Sequence, residues 1–433
     1  MNVDGFLGSV DIQQGNIRLI NGTGTTNTEF NQASSILVEN GAQFQLGNGI
    51  ASFHIAAGGE VKINGLANAN TQSTFNDGAL RFEESAGNNL TVTFDSPVRL
   101  QTTSKIYVTA PDTTAVLTQE LRGDGTAGLT KGGSGVLRLA TTSPNGNPYA
   151  GTTVVSNGAL AVDNTVATAS GVGSGNLNVT NGAILGGTGF IGTSAAASNV
   201  ALTASILSPG ELTGTTAAGG LTTAPGLLTI RGNLTFDAAS SLNVDLTGAT
   251  AGSQYDQISE HGTVTLAGAA LNLNLGAFTP TGSETFTLID NAGAQAVSGV
   301  FGTINGVAGS YTEGAAVTVG SSTFHITYAG GANHNDVQLI GGSVPTGVPG
   351  DFNGNGVVDM ADYVLWRNGG PLQNEISDTG VVTAQDYLDW RAHFGNTSGS
   401  GSSLGQSTSV PEPGSICLLL IGTVVGLVNS RKR

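Results

Sequence analysis

Residues 129–139 read LTKGGSGVLRL, and residues 149–160 read YAGTTVVSNGAL. Each stretch alternates apolar and polar residues over a few positions, as half-buried β-strands do, and glycines bracket the alternation. The same pattern recurs on both sides, in residues 43–46, 61–63, 90–94 and 177–179. Residues 1–225 are therefore predicted to form a succession of short strands without a convincing helix.

Glycine-containing turns separate these strands. Gly41, Gly59 and Gly78 follow one another at nearly equal intervals, and a somewhat longer interval separates Gly158 from Gly182. A period of roughly 20 residues with several strands per unit is typical of a solenoid, whose coils bury their inner faces only by stacking on one another. The alternative is a β-sandwich with frequent hairpins, because Asn-Gly is also a strong hairpin signal. The regular spacing and the low charge favour the solenoid.

The composition agrees with a β-rich fold and excludes several classes of protein. Glycine contributes 67 of 433 residues, charged residues make up 10%, and the formal net charge is −16. So much glycine disfavours a helical bundle. Nucleic acid is excluded as a partner because phosphate binding needs clustered Lys and Arg. Cys417 is the only cysteine, so no intrachain disulfide can form.

The two stretches quoted first resemble the autotransporter-associated β-strand repeat. That repeat runs as a Lys-x-Gly-x-Gly strand, a Tyr-x-Gly turn and a Thr-Val strand ending in Gly-x-Leu, and the match covers about one repeat unit. The resemblance implies an all-β, right-handed parallel β-helix on a bacterial surface, here over residues 1–225. Residues 226–340 contain longer strand-like segments and resemble the C-terminal end of such proteins, which implies final coils and a β-sandwich-like cap.

The segment 351–395 follows a Pro/Gly-rich linker, residues 341–350, and carries the only convincing helices. Residues 351–362 read DFNGNGVVDMAD, with oxygen-bearing side chains at loop positions 1, 3, 5, 9 and 12 and glycine at position 6. Ca²⁺ takes six to eight oxygen ligands, and this spacing wraps them around one ion. The alternative is an Asx-rich turn without an ion. The predicted calcium ligands are the side chains of Asp351, Asn353, Asn355, Asp359 and Asp362 and the carbonyl of Val357.

The loop and its helix occur a second time in the same segment, because GVVDMADYVLWR at 356–367 aligns with GVVTAQDYLDWR at 380–391. In the second copy Glu375 and Asp386 occupy positions 1 and 12. The hydroxyls of Ser377, Thr379 and Thr383 stand at positions 3, 5 and 9, so we predict a weak or lost second site. Trp366 and Trp390 are expected to pack between the paired helices.

Paired loop–helix units whose loops end in Asp resemble dockerin type I modules. The resemblance implies a Ca²⁺-loaded module and a cohesin-like receptor as its partner.

The C-terminal residues resemble a sorting signal. A Gly/Ser/Thr-rich linker over residues 396–410 precedes Pro411-Glu412-Pro413, an apolar run over residues 416–428 and Arg431-Lys432-Arg433. A helix over that run is about 20 Å long, shorter than the ~30 Å hydrocarbon core of a bilayer. The order of motifs in residues 411–433 resembles the PEP-CTERM signal. It implies an exosortase-type membrane protease as partner, transient insertion into the inner membrane, and a final location in the cell envelope, at the cell surface or outside the cell.

The N-terminal residues do not resemble an export signal, since residues 1–17 contain neither Lys nor Arg and no long apolar run. A C-terminal sorting signal acts only on an exported chain. We therefore expect the native gene to encode an export signal upstream of Met1.

These features predict an exported structural or adhesive protein rather than an enzyme. Residues 1–340 contain no closely spaced Asp pair and no His-x-x-x-His motif. The alternative is a carbohydrate-active β-helix enzyme, a polysaccharide lyase or glycosidase, with the same C-terminal signal. Asp, Glu, Arg and His clustered in one lateral groove would favour the enzyme. A ladder of Asn, Thr and Ser would favour the structural protein, with a surface polysaccharide as a candidate partner.

Overall fold

The computed structural model describes residues 8–19, 26–30, 33–47, 50–55, 58–66, 78–84, 87, 89–215, 221–280, 284–319, 322–341, 348–375 and 382–397. The sorting signal predicted over residues 411–433 lies outside these ranges, as do nearly all of the linker at 396–410 and residues 342–347. The chain divides into two compact units, Met1–Thr346 and Gly347–Arg433. Each unit is described by itself.

The first unit is the all-β parallel solenoid that the sequence predicts, with about nine turns. Its first five coils contribute three strands each. They are β1 (Gly8–Ile12), β2 (Gly15–Leu19), β3 (Thr26–Phe30), β4 (Ala33–Val38), β5 (Ala42–Gly47), β6 (Ile50–Ile55), β7 (Glu60–Ile63), β8 (Leu80–Glu83), β9 (Thr91–Phe94), β10 (Val98–Leu100), β11 (Ser104–Val108), β12 (Thr114–Leu117), β13 (Leu121–Gly123), β14 (Leu129–Gly132) and β15 (Val136–Leu139).

The remaining strands form the later coils, one hairpin (β23 and β24) and the C-terminal end of the unit. They are β16 (Thr153–Val155), β17 (Ala159–Val162), β18 (Leu177–Thr180), β19 (Ile184–Gly187), β20 (Phe190–Ile191), β21 (Val200–Thr203), β22 (Ile206–Pro209), β23 (Glu211–Thr215), β24 (Leu221–Ala224), β25 (Leu227–Ile230), β26 (Leu234–Phe236), β27 (Ser241–Asp245), β28 (Gln257–Glu260), β29 (Val264–Thr265), β30 (Ala270–Asn274), β31 (Thr285–Asn291), β32 (Thr303–Ile304), β33 (Val307–Ala308), β34 (Ala316–Val319), β35 (Ser322–Gly330) and β36 (Asp336–Gly341).

Equivalent strands of successive coils pair in parallel and form long sheets. Sheet 1 has the order β1-β4-β7-β10-β13, and sheet 2 has the order β2-β5-β8-β11-β14-β16-β18-β21-β26-β29. Sheet 3 has the order β3-β6-β9-β12-β15-β17-β19-β22-β27-β30-β32-β33, and sheet 4 begins β20-β25-β28-β31. Sheet 3 runs without interruption from β22 to β27, so the solenoid continues across residue 225.

The coil length differs from the period read from the glycine spacing. In the regular part of the solenoid, Lys131 pairs with Val155 and Val155 pairs with Val179, so one turn is longer than the predicted period. Gly41 precedes β5 in sheet 2, whereas Gly59 precedes β7 in sheet 1. The shorter glycine intervals therefore join different corners of the coils. The error arose because each coil has several glycine corners.

The interior of the solenoid is built from columns of stacked side chains. Lys131 occupies a position in one of these columns, and its ammonium donates to the carbonyl oxygens of Gly132, Gly133 and Asn157 at 3.0, 2.7 and 3.0 Å. Burial lowers the pKa of Lys131 to about 7, while the three carbonyls satisfy its three donors. Lys131 thus links two successive coils by hydrogen bonds inside the solenoid. The column in sheet 2 comprises Phe44, Leu80, Ile106, Lys131, Val155, Val179, Leu202 and Phe236.

The glycine of the Tyr-x-Gly turn is required by the close approach of successive coils. A Cβ on Gly151 would lie 2.3 Å from the carbonyl oxygen of Thr126, and a Cβ on Gly175 would lie 2.2 Å from the carbonyl oxygen of Gly151. Both distances are far below van der Waals contact, so any side chain at these corners would push the coils apart.

The last coil ends in an antiparallel extension. Strand β31 pairs in parallel with β28 and antiparallel with β36, and sheet 4 continues through β35 to β34. Phe286 packs edge-on against Phe324 and Tyr255, with ring centroids 5.8 and 5.3 Å apart. These strands cover the end of the solenoid core with their own aromatic side chains.

The second unit contains the two helices predicted in residues 351–395, α1 (Met360–Arg367) and α2 (Ala384–His393). The predicted packing of the tryptophans between them is confirmed. The indole of Trp366 donates to the carbonyl of Thr383 at 2.6 Å, and that of Trp390 donates to the carbonyl of Asp359 at 2.7 Å. Thr383 and Asp359 are the N-cap residues of α2 and α1. Each helix is therefore tied to the start of the other.

No helix among the described residues is long and apolar enough to cross a membrane.

One buried asparagine joins three coils of the solenoid. Asn147, which is 2% exposed, accepts a hydrogen bond from the backbone N–H of Leu121 at 2.8 Å. Its amide donates to the carbonyl of Gly171 at 2.6 Å. The side chain thus satisfies two buried backbone groups that the strand ladders do not reach.

We expect Asn147→Ala to lower the free energy of unfolding of the solenoid by about 2–4 kcal/mol, because it leaves a buried N–H and a buried C=O without partners. Asn145→Ala is the matched control in the same loop, since Asn145 is exposed and bonds only surface groups. Guanidinium unfolding followed by far-ultraviolet circular dichroism measures both. Equal midpoints for the two variants would contradict the bridging role.

Candidate functional site

The first candidate site is the 351–362 loop, where two of the predicted calcium ligands face the same backbone segment. Asp351 accepts hydrogen bonds from the N–H groups of Asn355 at 3.0 Å and Gly356 at 2.7 Å. Asp362 accepts one from the N–H of Asn353 at 3.0 Å. Both carboxylates are almost completely buried, at 1% and 0% exposure.

Two of the acidic residues also begin the helix that follows the loop. Asp359 is the N-cap of α1 and accepts from the N–H of Ala361 at 2.7 Å, and Asp362 accepts from the N–H of Asp359 at 2.8 Å. This reciprocal arrangement is a capping box. Helix initiation therefore accounts for part of the acidic pattern whether or not an ion binds.

The other predicted ligands lie nearer the surface. Asn353 accepts from the N–H of Asn355, and Asn355 accepts from the N–H of Val357, each at 2.9 Å. Val357 is more than one-third exposed and forms an isolated β-bridge with Thr397. Within the described ranges no three His, Cys, Asp or Glu side chains converge as a metal site. Asp351 and Asp362 thus bond the N–H groups of Asn355 and Asn353, and the six-residue calcium assignment stays a prediction.

The donor atoms of the loop are of a kind that a cation can use. In the part of the chain that the structure describes, no Lys, Arg or His forms an ion pair with Asp351 or Asp362. Backbone N–H groups, rather than cationic side chains, bond both carboxylates. Hard oxygen donors of this kind suit Ca²⁺. The residues that would hold it are those predicted from the sequence, and the ion would supply charge compensation and loop rigidity.

The second loop is described only in part, since Ser377 and Thr379 lie outside the described residues. Glu375 and Asp386 are both buried. Asp386 caps α2 with Thr383, and its Oδ1 has no hydrogen-bond partner among the described residues. Burial raises the pKa of Asp386 to about 6, and the nearby charge of Glu375 adds to the shift. The weak or lost second site stays a prediction.

The second candidate site is a lateral groove on the outer face of sheet 3, beside the β23–β24 hairpin. It encloses a cavity of about 400 Å³. Its polar lining consists of amides, hydroxyls and one carboxylate, and its apolar lining is aliphatic. The lining residues are Ile184, Ile206, Ser208, Thr223, Asn243, Val244, Asp245, Asn272, Leu273 and Asn274. Sequence reasoning missed this groove because its residues come from different coils, far apart in the chain.

Behind the groove lies a second carboxylate that is bound to backbone. Asp256 accepts hydrogen bonds from the N–H groups of Gly226 and Asp245, both at 2.8 Å, and burial raises its pKa to about 7. It is 1% exposed and does not line the cavity. Asp256 therefore has a structural role, because it links the backbone of Gly226 to that of Asp245.

Comparison with protein-family models gives no match, and no curated protein is similar enough to the chain to count as a relative.

Ca²⁺ should stabilise the second unit, because an ion that binds only the folded loop adds RT ln(1 + [L]/Kd) to the free energy of unfolding, about 2.7 kcal/mol at 100 times Kd. Asp351→Asn, tested alone and with Asp362→Asn, should abolish this gain, whereas Glu375→Ala should keep most of it. Both tryptophans of the chain lie in this unit, so thermal melts followed by tryptophan fluorescence, in Ca²⁺ or EDTA, report on it selectively. A full calcium response in the Asp351 variant would refute the ligand assignment.

Glu260 should make the solenoid less stable as the pH rises. Burial raises the pKa of Glu260 to about 7 from 4.5, so its carboxyl binds a proton more tightly in the folded state. Its contribution to stability is largest below about pH 4.5 and is lost towards pH 7. Glu260→Gln removes this titration and should raise the melting temperature by a few degrees at pH 8 but not at pH 4.5.

The control is Thr285→Ala on β31, where the side chain is exposed and carries no titrating group, so any change in melting temperature should be equal at both pH values. Circular dichroism melts at both pH values follow the solenoid. An equal shift of the Glu260 variant at pH 4.5 and pH 8 would exclude titration of this carboxyl as the cause.

Proposed function

We propose that this chain is an exported structural or adhesive protein of the cell surface, in which the solenoid is the functional body. The observation that supports this most is the uninterrupted stack of parallel coils, whose sheets continue from β2 to β29 and from β3 to β32. Such a stack offers a long, rigid outer surface, and repeat proteins use surfaces of this kind for binding.

The second unit contributes, in this proposal, a calcium-stabilised dockerin-like module. The buried pair Asp351 and Asp362 supports the ion, and the repeated helix with its exchanged tryptophan bonds supports the paired-module resemblance. A cohesin-like receptor is the partner that the resemblance implies. The sorting proposal rests on the Pro-Glu-Pro motif, the apolar run and the basic end of the sequence.

A binding role is favoured over the carbohydrate-active enzyme by the chemistry of the lateral groove. Hydrolysis of a glycosidic bond by the usual mechanism needs two carboxyl groups on either side of the bond. Of the residues that line the cavity, only Asp245 is acidic, and the others are amides, hydroxyls and aliphatic groups. The groove resembles the Asn/Thr/Ser ladder expected of a structural or adhesive protein.

Fractionation of the native host, followed by intact-mass measurement of the recovered chain, tests the export and sorting proposal. We expect the protein in the envelope or the medium, without residues 416–433. A variant with Pro411, Glu412 and Pro413 all changed to Ala should keep its tail and stay in the membrane fraction. Recovery of the parent chain in the cytoplasm would reject export. Recovery of the parent chain from the membrane with its C-terminus at Arg433 would reject cleavage and identify the tail as an anchor.

A further inference from the structure

The lateral groove is formed where a hairpin leaves the solenoid and folds back over sheet 3. Leu212 of β23 is completely buried against Val136, Ala159 and Ala161 on the outer face of that sheet. Arg138 fixes the same strand by donating to the carbonyl of Leu212 at 2.8 Å and pairing with Glu211 at 3.2 Å. The hairpin is therefore held firmly on one side, and its Thr223 forms a wall of the groove.

The polar side chains of the groove form hydrogen bonds with one another. The carboxylate of Asp245 accepts from the hydroxyl of Thr223 at 2.6 Å and from the amide of Asn274 at 2.8 Å. Two residues earlier on the same two strands, Asn272 donates to the side-chain carbonyl oxygen of Asn243 at 2.8 Å. Two cross-strand pairs thus fix the orientation of four side chains before any ligand arrives.

This arrangement leaves hydrogen-bonding capacity directed at the groove. Among the described residues, the amide N–H groups of Asn243 and the carbonyl oxygen of Asn272 have no hydrogen-bond partner. A ligand that pairs with both must offer donors and acceptors close together. Adjacent hydroxyl groups do so, since each hydroxyl is both a donor and an acceptor.

The charge of the site selects against anions. The only charged side chain in the lining is the carboxylate of Asp245, and the whole chain carries a net charge of −16. Sulfated, phosphorylated and uronic-acid ligands would be repelled. The aliphatic side chains of Ile184 and Ile206 offer an apolar surface of the kind that the C–H faces of neutral sugars can cover. A cavity of about 400 Å³ lies within the usual range for small-ligand sites.

We propose that this groove binds a neutral oligosaccharide or the exposed end of a neutral polysaccharide, with Asn243, Asn272, Asp245 and Thr223 as its hydrogen-bonding groups. The proposal rests on the adhesive role proposed above and names the class of ligand that the solenoid would bind on a surface.

Isothermal titration of the full chain with neutral hexasaccharides of glucose, mannose, xylose and N-acetylglucosamine, beside oligogalacturonate as an anionic probe, tests the assignment. We expect at least one neutral hexasaccharide to bind and oligogalacturonate not to bind. The double variant Asn243→Ala with Asn272→Ala should weaken binding at least tenfold. Asn178→Ala, on the outer face of sheet 2, is the matched control and should bind like the parent. Asn272→Trp, which fills the cavity, should abolish binding, and circular dichroism checks that each variant is folded.

Three results would overturn the assignment: no binding of any neutral probe, equal binding by the folded groove variants and the parent, or binding of oligogalacturonate alone. These results are independent of cell fractionation. Loss of saccharide binding in a surface-located protein would reject the groove only, whereas saccharide binding by a cytoplasmic protein would reject the surface role only.

Discussion

The constraint on which the structure depends is the parallel pairing of each coil with the next through backbone hydrogen bonds. Neighbouring strands in such a ladder lie about 4.8 Å apart, and every side chain and corner must fit that spacing. Inside the coils, the spacing produces columns of stacked side chains such as the one that runs from Phe44 to Phe236. At the corners it leaves no room for a Cβ at Gly151 or Gly175. The glycines at these corners are therefore a consequence of the ladder.

The same constraint explains which parts of the fold the sequence could predict. Strand positions follow from local alternation, so the strands around residues 43, 61, 136 and 177 and those between residues 226 and 340 are found where the pattern indicates. The coil length was misread because a glycine marks a corner without saying which corner. Lys131 shows a further limit. Alternation places it on the inward face with Leu129, but the sequence does not show what binds its ammonium there, since the carbonyls are brought together only by the register of two coils.

The two candidate sites also differ in how far the sequence could predict them. The 351–362 loop is local in sequence, and its ligand spacing could be read directly. The sequence could not distinguish ion binding from helix capping, because Asp359 and Asp362 also form the capping box of α1. The lateral groove is not local. Asn243 and Asn272 lie 29 positions apart, and the hairpin that walls the groove interrupts the repeat, so no short motif could reveal it.

The exchanged tryptophan bonds of the second unit bear on how its two halves can change over evolutionary time. Each indole is bound to the carbonyl that begins the opposite helix, so each half supplies part of the scaffold that keeps the other folded. An ancestral duplicate held together in this way does not need an ion in both loops. One copy can drift in its ligand positions, as we predict for the hydroxyl-rich second loop, while the shared aromatic core preserves the fold. The module can therefore lose a binding function in one half without losing that half.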